Sequence, residues 1–132
     1  MDLVVDTSAI IAVITNEPHK QRLVEATEGA DLIAPMTLQA EVGNAFSAML
    51  KRKRITLDNA LKALEVFHQI PIRISEIALE DAVELAASVD IYAYDAYVIA
   101  CAQKHRCALV SLDAGLVDAA RRVGVGIIEV LP

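Results

Sequence analysis

The chain alternates between short apolar runs and longer stretches in which apolar residues recur every three or four positions. Leu3-Val4-Val5 is the first run. Apolar residues without alternation suit a strand covered on both faces, as in a parallel sheet. The run ends in Asp6, and Thr7 to about Ile14 then predicts a helix broken by Asn16-Glu17-Pro18. His19 to Glu28 predicts a second, more polar helix stopped at Gly29, and Asp31-Leu32-Ile33-Ala34-Pro35 a short strand closed by proline. From about Thr37 to Lys53 a long helix carries Leu38, Val42, Ala45 and Met49 along one stripe. Thr56 stands as the N-cap of a further helix to His68.

Ile70-Pro71-Ile72-Arg73-Ile74 alternates like a strand, and its proline restricts it to an edge. Ser75 is expected to cap a helix running to about Val89, followed by a helix from Tyr94 to about His105. Cys107-Ala108-Leu109-Val110-Ser111 reads as a buried strand, Asp113 to Val123 as a helix, and Gly124 to Val130 as a last strand. Strands alternating with helices imply an α/β fold in which helices wrap a central parallel sheet. No repeat, low-complexity segment or linker divides the chain, so residues 1–132 read as a single domain.

Composition supports that picture. Over 132 residues, 55% are hydrophobic, ample material for a core. No run of about 18 apolar residues and no basic leader occurs, so the expectation is a cytoplasmic protein with no membrane span. Cys101 and Cys107 match no zinc or redox spacing and read as buried thiols. The apolar surplus points to a surface covered by a partner.

One pattern recurs three times. Three, four and seven positions after Asp6 stand Ala9, Ile10 and Val13; after Asp95, Val98, Ile99 and Ala102; after Asp113, Leu116, Val117 and Ala120. Each aspartate heads an inward-facing helical stripe. Asp6 and Asp113 also follow apolar strands, so in a parallel sheet both emerge at the edge where ligands bind. Glu41 adds a fourth acid on the flank of the long helix's stripe. Singly, each aspartate is explained as a helix N-cap and Glu41 as a solvated residue. Together, four carboxylates in one crevice repel one another and need protons or cations to neutralise them. Oxygen ligands without histidine suit Mg2+ or Mn2+ better than zinc, and such a site suits phosphodiester hydrolysis.

The formal net charge of −6 weighs against a nucleic-acid partner, but neutralising the four acids brings it to −2. The basic residues are clustered as Lys51-Arg52-Lys53-Arg54 and Arg121-Arg122. The run at 51–54 reads equally as a solvated helix end or as an RNA-backbone contact. His19, His68 and His105 have no partner at ligand spacing. Tyr92, Tyr94 and Tyr97 are dense for so few aromatics; packing beside the sheet is the plainer reading, with base stacking or a dimer contact as alternatives.

Val4-Val5-Asp6-Thr7-Ser8-Ala9, Glu41-Val42-Gly43-Asn44-Ala45, Tyr94-Asp95-Ala96 with Ala100 and Ala102, and Leu109-Val110-Ser111-Leu112-Asp113 resemble, in order and spacing, the motifs of PIN-domain ribonucleases, above all the VapC-type toxins of bacterial and archaeal toxin–antitoxin pairs. The resemblance covers nearly the whole chain. It implies a three-layer α/β/α sandwich with a central parallel sheet, cleavage of RNA dependent on Mg2+ or Mn2+, a homodimer, and a cognate antitoxin lying over the acidic groove. Asp6, Glu41, Asp95 and Asp113 match the family's acidic quartet, as catalytic residues and metal ligands. Thr7 or Ser8 matches its hydroxyl position after the first acid, Asn44 a polar position near the second, and Ser111 stands where threonine is common.

Other functions fit less well. An aspartyl-phosphate phosphotransferase of the haloacid dehalogenase type would want an acid at position 8, where Ser8 stands. A non-catalytic module keeping the fold would be expected to have lost some of the acids. A housekeeping role in RNA processing is the runner-up within the nuclease class.

Overall fold

In the computed structural model, which describes residues 1–130, four short strands form the central layer, and three of them carry runs of buried positions. They are β1 (Asp2–Val5), β2 (Asp31–Pro35), β3 (Ile72–Ser75) and β4 (Ala108–Val110), all parallel, in the order β3-β2-β1-β4. Successive strand residues feed opposite faces. Leu3, Val5, Ala34 and Val110 enter one core, whereas Val4, Ile33 and Leu109 enter the other. The first core is closed by α1 (Thr7–Ile14), α2 (Lys20–Thr27), α3 (Leu38–Lys51) and α4 (Leu57–Gln69), the second by α5 (Leu79–Val89), α6 (Ala93–His105) and α7 (Ala114–Arg122). The result is the three-layer α/β/α sandwich.

Strand order decides where a ligand can sit. The chain steps outward from β1 through β2 to β3, then returns to pair β4 with the free edge of β1. Helical connections leave on opposite faces at that reversal, and the crevice lies beyond the C-terminal ends of β1 and β4. Both strands deliver an aspartate there: Asp6 is the N-cap of α1 and Asp113 the N-cap of α7.

Most of the predicted elements hold to within a few residues. Thr56 caps α4 by accepting from the Asn59 N–H at 3.2 Å, and β3 takes the edge position that Pro71 requires. Gly29 (φ +75°) and Gly124 (φ +82°) end α2 and α7 in the left-handed conformation that glycine adopts without strain. Among the described residues no single helix is long and apolar enough to cross a membrane.

Three expectations are corrected. Ser75 does not cap a helix: it ends β3, its hydroxyl hydrogen-bonds His105 Nε2 at 2.8 Å, and α5 starts four residues later behind Ala78. The last strand, expected over 124–130, reduces to one bridge between Leu109 and Ile127. Only Leu109 of β4 bonds to this segment, its N–H donating to the Gly126 carbonyl and its carbonyl accepting from the Ile128 N–H, whereas all three residues of β4 pair with β1. Of the two thiols, Cys101 is buried, its pKa pushed by burial up to about 11, whereas Cys107 is only half-buried.

Candidate active site

Asp6 is the hub of the acidic edge. Its N–H donates to the Val110 carbonyl at 3.3 Å, tying the end of β1 to the end of β4. Its carboxylate caps α1 by accepting from the Ala9 N–H at 3.1 Å. Ser8 Oγ donates to both carboxylate oxygens, at 2.8 and 2.9 Å, and Ser111 Oγ donates to Oδ2 at 2.6 Å. Each serine then accepts from the backbone of the loop after β4: Ser8 Oγ from the Leu112 N–H at 2.9 Å, Ser111 Oγ from the Asp113 N–H at 3.0 Å. Asp113 in turn accepts from the Gly115 and Leu116 N–H groups at 3.0 and 3.2 Å. A continuous network therefore fixes the two loops that follow β1 and β4. Burial raises the pKa of Asp6, which is only 5% exposed; the bonds from Ser111, Ser8 and Ala9 oppose the rise, and the charge of Asp113 adds to it.

Glu41 and Asp95 come from the first turns of α3 and α6, helices on opposite faces of the sheet. Both are half-buried, and burial is the main reason their pKa values are raised. The charges of Asp6 and Asp95 raise Glu41 further; those of Asp113 and Asp6 do the same to Asp95. The four acids thus share one electrostatic neighbourhood. Thr37 and Thr7 lie on the Glu41 side and pull its pKa down. Neither hydroxyl reaches good hydrogen-bond geometry: both Oγ1 atoms are buried and without a partner.

None of the four acids takes part in an ion pair among the described residues, where lysine and arginine pair instead with Asp2, Asp58, Asp118 and Glu129. The donor set fits a hard divalent cation: carboxylate oxygens from four elements, uncompensated by basic side chains, with two unpartnered hydroxyls at their flank. As placed, however, no three His, Cys, Asp or Glu side chains among the described residues converge closely enough to hold an ion. Like charges repel, and that repulsion opposes closer approach of the bare carboxylates.

The remaining expectations divide. Ser8 and Ser111 meet Asp6, whereas Thr7 flanks Glu41 and Asn44 is exposed one turn beyond it. Lys51, Arg52, Lys53 and Arg54 lie at the far end of α3 from Glu41, all exposed. Tyr97 packs beside the sheet as expected; Tyr92 and Tyr94 do not and stand open to solvent. The sequence reading missed Thr37, whose signal was its place one helical turn before Glu41.

A parallel sheet whose switch point gathers four acids, two of them capping the helices that leave it, defines a class of protein. The family model described as PIN domain matches residues 3–122, and the chain belongs to that family. At a finer level it is 28% identical over 118 residues to Ribonuclease VapC9 of Mycobacterium tuberculosis, covering 88% of this chain and 89% of that protein. Its fold is similar to that of PAE2754 from Pyrobaculum aerophilum (TM-score 0.74, 20% identity, 96% of this chain and 83% of that one). It is similar too to a chain in a toxin–antitoxin complex from Klebsiella pneumoniae (TM-score 0.63, 19% identity, 98% of both chains).

Proposed function

We propose that this PIN domain is an endoribonuclease that hydrolyses RNA phosphodiester bonds with Mg2+ or Mn2+. On this reading it is the toxin of a toxin–antitoxin pair, acting in the cytoplasm as a homodimer and silenced by a cognate antitoxin. The observation that carries the proposal is the set of four carboxylates brought to the switch point without a basic partner among the described residues, three of which, Asp6, Glu41 and Asp95, feel the charge of others in the set. A ribonuclease among its relatives and a toxin–antitoxin complex among its structural neighbours point the same way. Exposed apolar residues on α4 (Leu57, Leu61, Val66) and around α5 (Ile74, Leu79, Val83) offer protein partners two faces.

Asp6, Glu41, Asp95 and Asp113 would hold the cation. When bound, it supplies Lewis acidity toward water and the phosphodiester, and neutralises charge on the leaving oxygen. The chain's own residues supply position. Ser8 and Ser111 orient Asp6 through its two oxygens, and the backbone N–H groups of Leu112 and Asp113 orient the serines. Asp113, fixed as a cap by Oδ1, keeps Oδ2 outside those bonds.

The test is cleavage of a mixed RNA pool by the purified protein in Mg2+, in Mn2+ and in chelator, beside Asp95→Asn. Cutting that needs metal and is lost in the variant supports the proposal. Intact RNA under every condition with folded protein overturns it.

A further inference from the structure

The chain has three tyrosines, two phenylalanines and no tryptophan, and the fold treats them unequally. Phe46 is buried, and Phe67 and Tyr97 are half-buried against the two cores. Tyr92 and Tyr94, by contrast, are 88% and 58% exposed. Both stand at the start of α6, Tyr92 as its N-cap and Tyr94 next to Asp95 in the first turn. Tyr92 is a poor choice for the helix, since a cap favours Ser, Thr, Asn or Asp, and it makes no side-chain cap bond. It is equally a poor choice for folding, since its ring buries almost nothing. A residue that serves neither its helix nor the core marks a place where another demand has won. Tyr92, in extended backbone just ahead of α6, and Tyr94, in its first turn, bracket the helix start from which Asp95 projects, within three residues of that acid.

We propose that Tyr92, with Tyr94 beside it, is a stacking platform for a nucleobase of single-stranded RNA flanking the bond held at the acids; this rests on the ribonuclease reading above. The electrostatics explain why a ring is wanted there. A phosphate backbone approaching four carboxylates meets charge of its own sign. Stacking is attractive regardless of that charge and tolerates any base. The other exposed apolar residues of the α4 and α5 faces are aliphatic, the surface a protein partner would cover. Exposed aromatic surface is concentrated at the acidic edge.

The experiment measures the dissociation constant of a short, unstructured, fluorescein-labelled RNA, in chelator and in Ca2+, for wild type, Tyr92→Ala, Tyr92→Trp and the double variant Tyr92→Ala/Tyr94→Ala. The same oligonucleotide with abasic residues is run beside it. Tyr92→Ala is expected to weaken binding of the normal RNA by roughly five- to a hundred-fold, the range of one lost base stack. Tyr92→Trp restores it, and on abasic RNA wild type and Tyr92→Ala bind alike. Equal binding of normal RNA by wild type and both alanine variants overturns the platform while leaving the ribonuclease reading standing. A loss of the same size on abasic RNA overturns it too, because the residue then acts without a base. Wild type that binds no RNA in either buffer overturns both readings. Altered sedimentation with unchanged RNA binding overturns the platform and assigns the tyrosines to a second copy of the chain instead.

Discussion

The acidic edge has two halves built in different ways. Asp6 and Asp113 leave the ends of adjacent strands and are held by hydrogen bonds that run through Ser8, Ser111 and the backbone of both loops. Glu41 and Asp95 ride on the first turns of helices packed against opposite faces of the sheet, and no hydrogen bond of good geometry fixes either carboxylate among the described residues. The strand-borne half is preorganised because backbone register places it. The helix-borne half is positioned by packing alone, without hydrogen bonds of good geometry to its carboxylates among the described residues. The difference teaches that one half of such a site is a hydrogen-bonded frame and the other a jaw held only by the packing of its helices.

The sharpest way to break that comparison is Asp6→Asn. Cleavage should fall by on the order of a thousand-fold, since a charge aimed at the reacting centre is lost. Stability should not fall with it. A folded pKa raised above the unfolded one means that the group's contribution to stability is present below the unfolded value and lost as pH rises through the folded value. At neutral pH the ionised Asp6 is therefore a burden, and with a serine hydroxyl turning to accept from the new amide NH2 that replaces one accepting oxygen, the neutral side chain is expected to melt no lower than wild type in calorimetry. A clear drop in melting temperature would mean that the ionised carboxylate holds the frame together.

Next in size is the contrast between Ser111→Ala and Thr37→Ala. Ser111→Ala leaves Asp6 short of a donor and the Asp113 N–H short of an acceptor. It should cost about 1–3 kcal/mol by chemical denaturation and about 10- to 100-fold in cleavage. Thr37→Ala removes a buried hydroxyl that has no partner, so stability should hold or rise slightly. Similar losses for the two would erase the distinction between frame and jaw.

The charge argument gives a pH test. In chelator, the melting temperature of wild type relative to Asp6→Asn/Glu41→Gln/Asp95→Asn should improve as pH falls from neutral into the carboxylate range, because all three pKa values are raised in the folded state. Mg2+ at neutral pH should raise wild type and leave the triple variant unmoved. A gap that is flat with pH would show that folding leaves the three carboxyl groups in their ordinary range. The smallest effect belongs to the exposed run at 51–54. Replacing Lys51, Arg52, Lys53 and Arg54 by alanine should leave the fold intact and flatten the salt dependence of RNA binding by about 0.7 in slope for each phosphate no longer neutralised.

Much of the site is legible in the sequence because it obeys local rules. Asp6 and Asp113 follow apolar strands and head apolar stripes, and Ala9, Ile10, Val98, Ile99, Ala102, Leu116 and Ala120 are buried as that pattern requires, while Val13 and Val117 are only half-buried. Ser111 is legible by its place between β4 and Asp113, although its 2.6 Å bond across to Asp6, 105 residues away, is not. Tyr92 departs from expectation because aromatic residues usually pack, and nothing local distinguishes an exposed ring from a buried one. Ser75 departs because a serine before an apolar stripe has the look of a cap, and its partner His105 lies 30 residues further on.

By itself, the sequence determined the alternation of strands and helices, the two-sided burial of β1 and the residue types at the acidic edge. Apolar periodicity and capping chemistry act over a few residues and need no fold to operate. Only the tertiary structure decided that β4 returns to β1, that the network runs from Ser8 and Ser111 into one carboxylate, and that the last strand shrinks to one bridge. These depend on which distant segments share a sheet edge, and that follows from how two cores close at once on opposite faces of four strands.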